Sequence, residues 1–192
     1  MIRQLLTAPN QLTLLRLTFV PFIIINIFDG NFPWALVLLI AAGISDALDG
    51  QLARRLHQQT TLGQYLDPIA DKLLLSSLFL VLSFVHQIPW RYTVLVFSRD
   101  LSILAIAAVL YVTVGFRDFR PSVFGKANTV AQIATVFFVL LYNLNDSIWI
   151  AAARRIGLYC TFAFTLTSGI HYVFVIGQRL RNVDRQRASS GR

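Results

Sequence analysis

The chain has 192 residues, of which 56% are hydrophobic, and its mean hydropathy is +0.62. Soluble domains are about 45–50% apolar, so this composition favours a membrane protein and argues against a soluble domain. The formal net charge is +8, from 17 Lys and Arg against nine acids. Basic residues between apolar segments are expected from the positive-inside rule, so we do not expect nucleic acid to be a partner.

Six long apolar segments follow one another along the chain, and polar turns separate them. Each is close to the length of about 20 residues that a helix needs to cross a bilayer. The pattern predicts an all-α, polytopic membrane protein with six transmembrane helices and a short N-terminal interfacial segment at residues 1–10. The predicted spans are Leu12–Phe28, Phe32–Leu52, Tyr65–Val85, Tyr92–Val114, Phe124–Leu144 and Ile156–Ile176. We place one transmembrane domain at 1–178 and a basic cytoplasmic tail at 179–192.

The distribution of basic residues predicts the orientation. With six spans, both termini lie on one side of the membrane, together with the second and fourth connections. That side would carry eleven basic residues. The opposite side would carry three, namely Arg91, Arg154 and Arg155. The excess predicts that both termini face the cytoplasm, in a cell (inner) membrane.

All nine acidic residues are aspartates, and four of them cluster between positions 46 and 71. They are Asp46, Asp49, Asp67 and Asp71, at the facing ends of the second and third predicted spans. A charged side chain inside a bilayer costs about 2.5–3.5 kcal/mol, and neighbouring carboxylates also repel one another. Lys72 offers a counter-charge to one of them at most. The cluster therefore predicts a bound divalent cation.

The spacing of these aspartates supports a metal site. Asp46 and Asp49 are three residues apart, and Asp67 and Asp71 are four apart. At these spacings each pair projects from one face of its helix. A short connection makes the two helices antiparallel neighbours, so the pairs can face each other and hold one or two hard cations through carboxylate oxygens.

Small and basic residues accompany the aspartates. Gly50 and Ala53 lie near the face of Asp46 and would let a ligand approach the backbone. Arg54 has a guanidinium group that suits phosphate, and Gly63 lies near the start of the next helix, where free N–H groups favour phosphate. Taken alone, Gly50 or Ala53 is better explained by helix packing, and Arg54 alone by interfacial anchoring. Together with the carboxylates, these residues indicate a pyrophosphate substrate.

These residues together resemble the CDP-alcohol phosphatidyltransferase family. The segment contains the complete family signature, in which eight residues stand at fixed spacings: Asp46, Asp49, Gly50, Ala53, Arg54, Gly63, Asp67 and Asp71. The segment Asp67–Lys72, and Pro121, Ser122, Gly125, Lys126 and Thr129, resemble its phosphatidylglycerophosphate synthase and cardiolipin synthase branches. Pro9, Asn10, Thr13 and Arg16 are similar to the family's N-terminal entry.

The resemblance implies six transmembrane helices, a site facing the cytoplasm and a homodimer. It also implies two divalent cations, Mg or Mn, shared among the four aspartates, with Asp71 as general base. The nucleotide would lie against Gly50 and Ala53, and its diphosphate near Arg54 and Gly63. The substrates implied are CDP-diacylglycerol and a small alcohol, and membrane lipids surround the protein.

The acceptor alcohol separates the branches of the family. Our first choice is glycerol 3-phosphate, which gives phosphatidylglycerophosphate and CMP, with Arg99 and Lys126 as cations that bind the acceptor. Many bacterial phosphatidylglycerophosphate synthases carry Arg-Glu where this chain has Arg99-Asp100, and Arg-Asp is more similar to cardiolipin synthases, which use phosphatidylglycerol. The alternative is that Arg99 forms a structural pair with Asp100 or another Asp, and that Lys126 is an interfacial anchor.

Two functions of other classes compete with this reading. A cation transporter would explain aspartates in a membrane, but it does not need Gly50, Ala53, Arg54 and Gly63 at fixed positions. A membrane scaffold without catalytic activity leaves the four carboxylates unexplained. The sequence therefore favours an enzyme of phospholipid synthesis.

Overall fold

The computed structural model describes the backbone of residues 8–55, 61–114 and 123–190, and the side chains of 15–48, 71–105 and 125–171. The described residues form six α-helices and no strand, which confirms the all-α prediction. The helices are α1 (Ala8–Phe28), α2 (Phe32–Arg55), α3 (Thr61–Phe84), α4 (Trp90–Val114), α5 (Val123–Tyr142) and α6 (Ile148–Ser190). Of the predicted interfacial segment, residues 1–7 lie outside the described residues, and 8–10 are the first turn of α1.

Two helical hairpins are closed by the same type of C-cap. At the end of α1, the Asn31 amide bonds to the Asn26 carbonyl at 2.8 Å and the Gly30 amide to the Ile27 carbonyl at 3.1 Å. Gly30 has a φ of 70°, as this motif requires. The end of α3 repeats the pattern with His86 in the left-handed position, at a φ of 58°. Both caps reverse the chain within a few residues, so consecutive helices run antiparallel.

The third hairpin connects α5 to α6 and contacts the second. Arg154 on α6 donates to the backbone carbonyl of Gln87 at 2.7 Å, and its guanidinium lies 4.9 Å from the centre of the Tyr142 ring. Asn143 donates to the Gln87 side chain at 3.0 Å. These contacts explain why α6 begins at Ile148, eight residues before the predicted start. The predicted start at Ile156 left Arg154 in the preceding loop. In the structure Arg154 is part of the helix, because the Gln87 carbonyl and the Tyr142 ring provide partners for its charge. At its other end, α6 continues to Ser190.

A core of aliphatic and aromatic side chains includes residues of all six helices, and Phe79, Leu78 and Leu82 of α3 are fully buried in it. Helices α5 and α6 instead meet along a polar seam. Thr165 donates to Asn128 at 2.8 Å, and Thr135 and Thr161 share a hydrogen bond of 2.9 Å. Hydrogen-bonded hydroxyls and amides between apolar helices are typical of membrane proteins, where small polar residues allow close packing.

Large apolar side chains are exposed on all six helices, among them Phe22, Trp34, Leu101, Trp149 and Tyr159. Within the described part of the chain, one helical stretch, Gly125–Tyr142, is long and apolar enough to cross a membrane. Leu15–Phe28 and Phe32–Leu48 are apolar but shorter. Large apolar side chains exposed on every helix of the described part mark contact with a membrane or a protein.

Candidate active site

Arg16 on α1 connects two of the predicted metal-binding aspartates. One terminal nitrogen, Nη2, pairs with Oδ1 of Asp46 on α2, and the other, Nη1, pairs with Oδ1 of Asp71 on α3. Arg16 is 1% exposed, whereas the Asp46 and Asp71 side chains are 51% and 40% exposed. The guanidinium therefore lies on the buried side of the cluster, and the two carboxylates form the accessible side.

The cluster lies toward the end of the bundle where α2 connects to α3. At about 1.5 Å per residue, Asp46 lies about 21 Å from the first residue of α2, and Asp71 about 20 Å from the last residue of α3. The hairpin turns that contain Gly30 and His86 are at the opposite end of these helices. Asp46 and Asp71 thus come together through Arg16. Helix α1 packs against both α2 and α3, whereas α2 and α3 are not closely packed against each other in the described part of the chain, so the prediction that these two helices are direct neighbours is not confirmed.

An apolar cavity of about 400 Å³ begins at this cluster and extends along α2, α3 and α5. Arg16, Asp46 and Asp71 form its polar end, and Phe137 and Phe138 on α5 belong to its apolar wall. Other apolar lining residues are Leu39, Ile40, Leu75, Val130 and Ile133. Because Ile40, Val130 and Ile133 are also exposed, the cavity opens sideways between α2 and α5. A charged end joined to an apolar groove suits an amphipathic ligand.

A second charged cluster connects α3, α4 and α6. Asp100 accepts from Arg99 Nη1 at 2.6 Å and from Lys72 Nζ at 2.9 Å, and Arg99 Nη2 donates to Ser168 at 2.6 Å. Arg99 therefore forms the structural pair with Asp100 that the sequence allows. Lys72 pairs with Asp100 and not with Asp46 or Asp71. The two clusters adjoin along α3, where Asp71 and Lys72 are consecutive residues.

Lys126, the second predicted acceptor cation, is exposed in the first turn of α5. It forms no ion pair with any described residue. An exposed position at the start of a helix is compatible with either reading of Lys126, as a ligand for the acceptor or as an anchor.

The six other predicted site residues lie outside the described side chains. They are Asp49, Gly50, Ala53, Arg54, Gly63 and Asp67. Their backbone is helical, within α2 or α3, so the three-residue and four-residue spacings of the aspartates hold on continuous helices. Among the described side chains there is no group of three or more His, Cys, Asp or Glu that would hold a metal. The two described carboxylates are hard oxygen donors of the type that Mg²⁺ and Mn²⁺ prefer, so the donor chemistry fits.

The role of Arg16 was not predicted from the sequence, where this residue belongs only to the N-terminal pattern that resembles the family. A signal was present, because an arginine in the middle of an apolar helix requires an anionic partner. With four aspartates nearby in the sequence, that partner belongs to the acidic cluster.

Comparison with known proteins identifies the family of the chain. Residues 6–167 match the family model for CDP-alcohol phosphatidyltransferase. The chain is 31% identical to human cardiolipin synthase (CMP-forming) over 194 aligned positions, which cover 90% of the chain and 62% of that relative. It is 30% identical to the Bacillus subtilis CDP-diacylglycerol–glycerol-3-phosphate 3-phosphatidyltransferase over 179 positions, 85% of the chain and 92% of the relative. A probable phosphatidylglycerophosphate synthase of Mycobacterium tuberculosis is 34% identical over 192 positions, 94% and 86% of the two chains.

The chain thus spans less than two thirds of the human relative's length and most of the length of the two bacterial relatives. The family match includes α1 to α5, both clusters of ion pairs and the first part of α6. The relatives are enzymes of phospholipid synthesis, and the chain belongs to the CDP-alcohol phosphatidyltransferase family.

Proposed function

We propose that this protein transfers a phosphatidyl group from CDP-diacylglycerol to glycerol 3-phosphate, giving phosphatidylglycerophosphate and CMP. The observation that carries the proposal is the pairing of Asp46 and Asp71 with Arg16 at the polar end of an apolar cavity. A lipid diphosphate needs both parts, because its headgroup carries charge and its chains are apolar. The Bacillus subtilis and Mycobacterium tuberculosis relatives, by their names, support this acceptor.

In the proposed reaction, the acceptor hydroxyl attacks the phosphorus atom that carries the diacylglycerol. The bond from that phosphorus to the CMP oxygen breaks, and CMP leaves with the bonding electrons. The hydroxyl proton passes to the carboxylate of Asp71, which we assign as general base. Asp71 is 40% exposed, so an acceptor has access to it, and its ion pair with Arg16 holds the carboxylate in place.

We assign Asp46, Asp49, Asp67 and Asp71 as ligands of divalent cations, Mg or Mn, with two ions as the expected number. When bound, the cations would stabilise negative charge on the diphosphate and on the leaving CMP. Asp46 and Asp71 already share one cationic partner in Arg16, which supports a position where carboxylates of both helices converge.

The nucleotide end of CDP-diacylglycerol is assigned to Gly50, Ala53, Arg54 and Gly63, on the signature alone. The diacylglycerol end is assigned to the cavity between α2 and α5, whose opening faces the surrounding lipid. A chain lying there would place its phosphate next to Asp46 and Asp71. This arrangement lets the lipid enter sideways from the bilayer while its headgroup stays at the polar end.

Cardiolipin synthesis from phosphatidylglycerol is the second candidate, and the pairing of Arg99 favours it. A phosphorylated small alcohol is a dianion and needs free cations in its pocket. Both terminal nitrogens of Arg99 are already bonded, to Asp100 and Ser168, so of the two predicted acceptor cations only Lys126 has no ion pair with a described residue. Phosphatidylglycerol carries a single phosphodiester charge and depends less on such residues.

We further propose that all six helices cross the membrane, with both termini and the site on the cytoplasmic side of a cell membrane. The apolar side chains exposed on every helix support six spans. The surplus of basic residues on the side of the α2–α3 connection supports the orientation. A homodimer is proposed from the family resemblance alone.

The deciding experiment measures CMP release and lipid product from purified protein and CDP-diacylglycerol, with glycerol 3-phosphate and phosphatidylglycerol supplied separately. We expect phosphatidylglycerophosphate from the first acceptor. Product from phosphatidylglycerol alone would replace our first choice by the second. No CMP release with either acceptor, at any Mg²⁺ or Mn²⁺ concentration, would contradict both.

The same assay tests the aspartates. Asp46→Asn, Asp49→Asn and Asp67→Asn keep the side-chain size, remove the charge and should abolish nearly all CMP release. Asp146→Asn, in the exposed α5–α6 turn, is the matched control and should keep full activity. Asp71→Asn should reduce kcat far more than it weakens CDP-diacylglycerol binding. Equal losses in binding and turnover would make Asp71 mainly a metal ligand and contradict its assignment as base.

A further inference from the structure

Arg16 is the largest fully buried side chain described in the structure. It lies in the middle of α1, whose other side chains are mostly apolar. A buried guanidinium near apolar surroundings is costly unless anions compensate its charge. Asp46 and Asp71 provide that compensation, from two helices that are separated by the α2–α3 connection. The arginine is therefore held where three helices converge.

The geometry of this contact depends on the shape of the guanidinium group. The two terminal nitrogens diverge from one planar carbon, and each pairs with a different carboxylate. A planar fork fixes the direction and the separation of its two partners. A lysine at this place would carry the same charge on one nitrogen and would not define that separation.

From this geometry we propose that Arg16 is a positioning residue, which sets the separation of Asp46 and Asp71 and thereby the affinity of the acidic cluster for divalent cations. The inference rests on the proposed function, since it assigns these carboxylates as metal ligands. A cation gains most from carboxylates that are already placed, because less conformational freedom is lost when it binds. Arg16 acts on the cation through the carboxylates and not by direct contact.

An opposing effect makes the proposal testable. The positive charge of Arg16 repels a divalent cation, so a purely electrostatic role predicts tighter metal binding when that charge is removed. Arg16→Lys separates the two effects, because it keeps the charge and loses the fork. Positioning predicts weaker binding in Arg16→Lys, and electrostatic competition predicts no change.

The experiment titrates Mn²⁺ into purified protein in detergent without lipid substrate and follows the rise in thermal unfolding temperature. We expect the Mn²⁺ midpoint to rise about tenfold in Arg16→Lys. It should rise less in Arg16→Gln, because the lost repulsion offsets part of the lost positioning. Arg154→Lys is the matched control. That arginine also bonds across helices, to the Gln87 carbonyl at the opposite end of the bundle, so its replacement lowers stability without moving the Mn²⁺ midpoint.

An unchanged midpoint in Arg16→Lys, or a lower midpoint in Arg16→Gln, would overturn the proposal. If Arg16→Lys does not fold, the direction in which the Mn²⁺ midpoint of Arg16→Gln shifts decides the question. The Mn²⁺ dependence of CMP release in membranes then replaces the unfolding assay. The test is independent of the transfer reaction. Wild-type protein that binds Mn²⁺ without releasing CMP would contradict the proposed function and leave this inference standing.

Discussion

Gly43 on α2 lines the cavity that we assign to the diacylglycerol, and it offers a direct way to fill that cavity. A Cβ atom built at Gly43 meets no heavy atom within 4 Å, so a larger side chain fits the protein itself. Gly43→Leu should therefore fold normally. Replacing a helical glycine also favours the helix by up to about 1 kcal/mol, so the unfolding temperature should stay equal or rise.

The leucine and a lipid chain would compete for the same part of a cavity of about 400 Å³. Forcing extra carbon atoms into an occupied apolar space typically costs about 1–3 kcal/mol. A cost in this range corresponds to a 5- to 150-fold change in an equilibrium constant, so we expect the KM for CDP-diacylglycerol to rise about tenfold or more. The KM for a water-soluble acceptor should change little.

The assay measures CMP release against CDP-diacylglycerol concentration in mixed micelles, together with thermal unfolding. Gly169→Leu on α6 is the matched control, because a Cβ there also meets nothing within 4 Å and Gly169 does not line the cavity. A Gly43→Leu enzyme with wild-type KM and wild-type unfolding temperature would refute the assignment of the cavity to the lipid chain. Equal increases in the KM for CDP-diacylglycerol in Gly43→Leu and Gly169→Leu would indicate a general effect of a larger side chain and not competition with the lipid chain.

Three further predictions concern stability, measured by thermal unfolding in detergent. Asp100→Asn removes the shared carboxylate of Arg99 and Lys72 and should cost about 3 kcal/mol, whereas a cost as small as that of Asp146→Asn would show that the pairs contribute little. Gly157→Ala brings a Cβ to 3.0 Å from Thr135 Oγ1 and 3.3 Å from its Cα, so we expect a loss of about 1–3 kcal/mol, and an unchanged unfolding temperature would contradict this tight contact. His86→Gly relieves a left-handed backbone conformation and should stabilise by about 1 kcal/mol, while a destabilised variant would indicate that the His86 side chain contributes more than the strain costs.

The sequence by itself determined the number of helices and most of their ends. Turn residues such as Asp29, Gly30 and Pro89 mark reversals that the structure places within a few residues of the prediction. The sequence likewise placed Asp46 and Asp71 toward the connected ends of α2 and α3, although it did not show that Arg16 of α1 brings them together. Local chain geometry is sufficient for such predictions, since each depends on residues close together in sequence.

The tertiary structure alone decided which helix faces contact one another. Apolar residues surround α1 and α2 almost evenly, so periodicity does not show which side faces the protein and which faces lipid. The partners of Arg16 are 30 and 55 residues away in sequence, and Ser168 is 69 residues from Arg99. Such contacts depend on how each helix is rotated about its axis. That rotation is set by packing and by the pairing of buried charges, which only the assembled bundle provides.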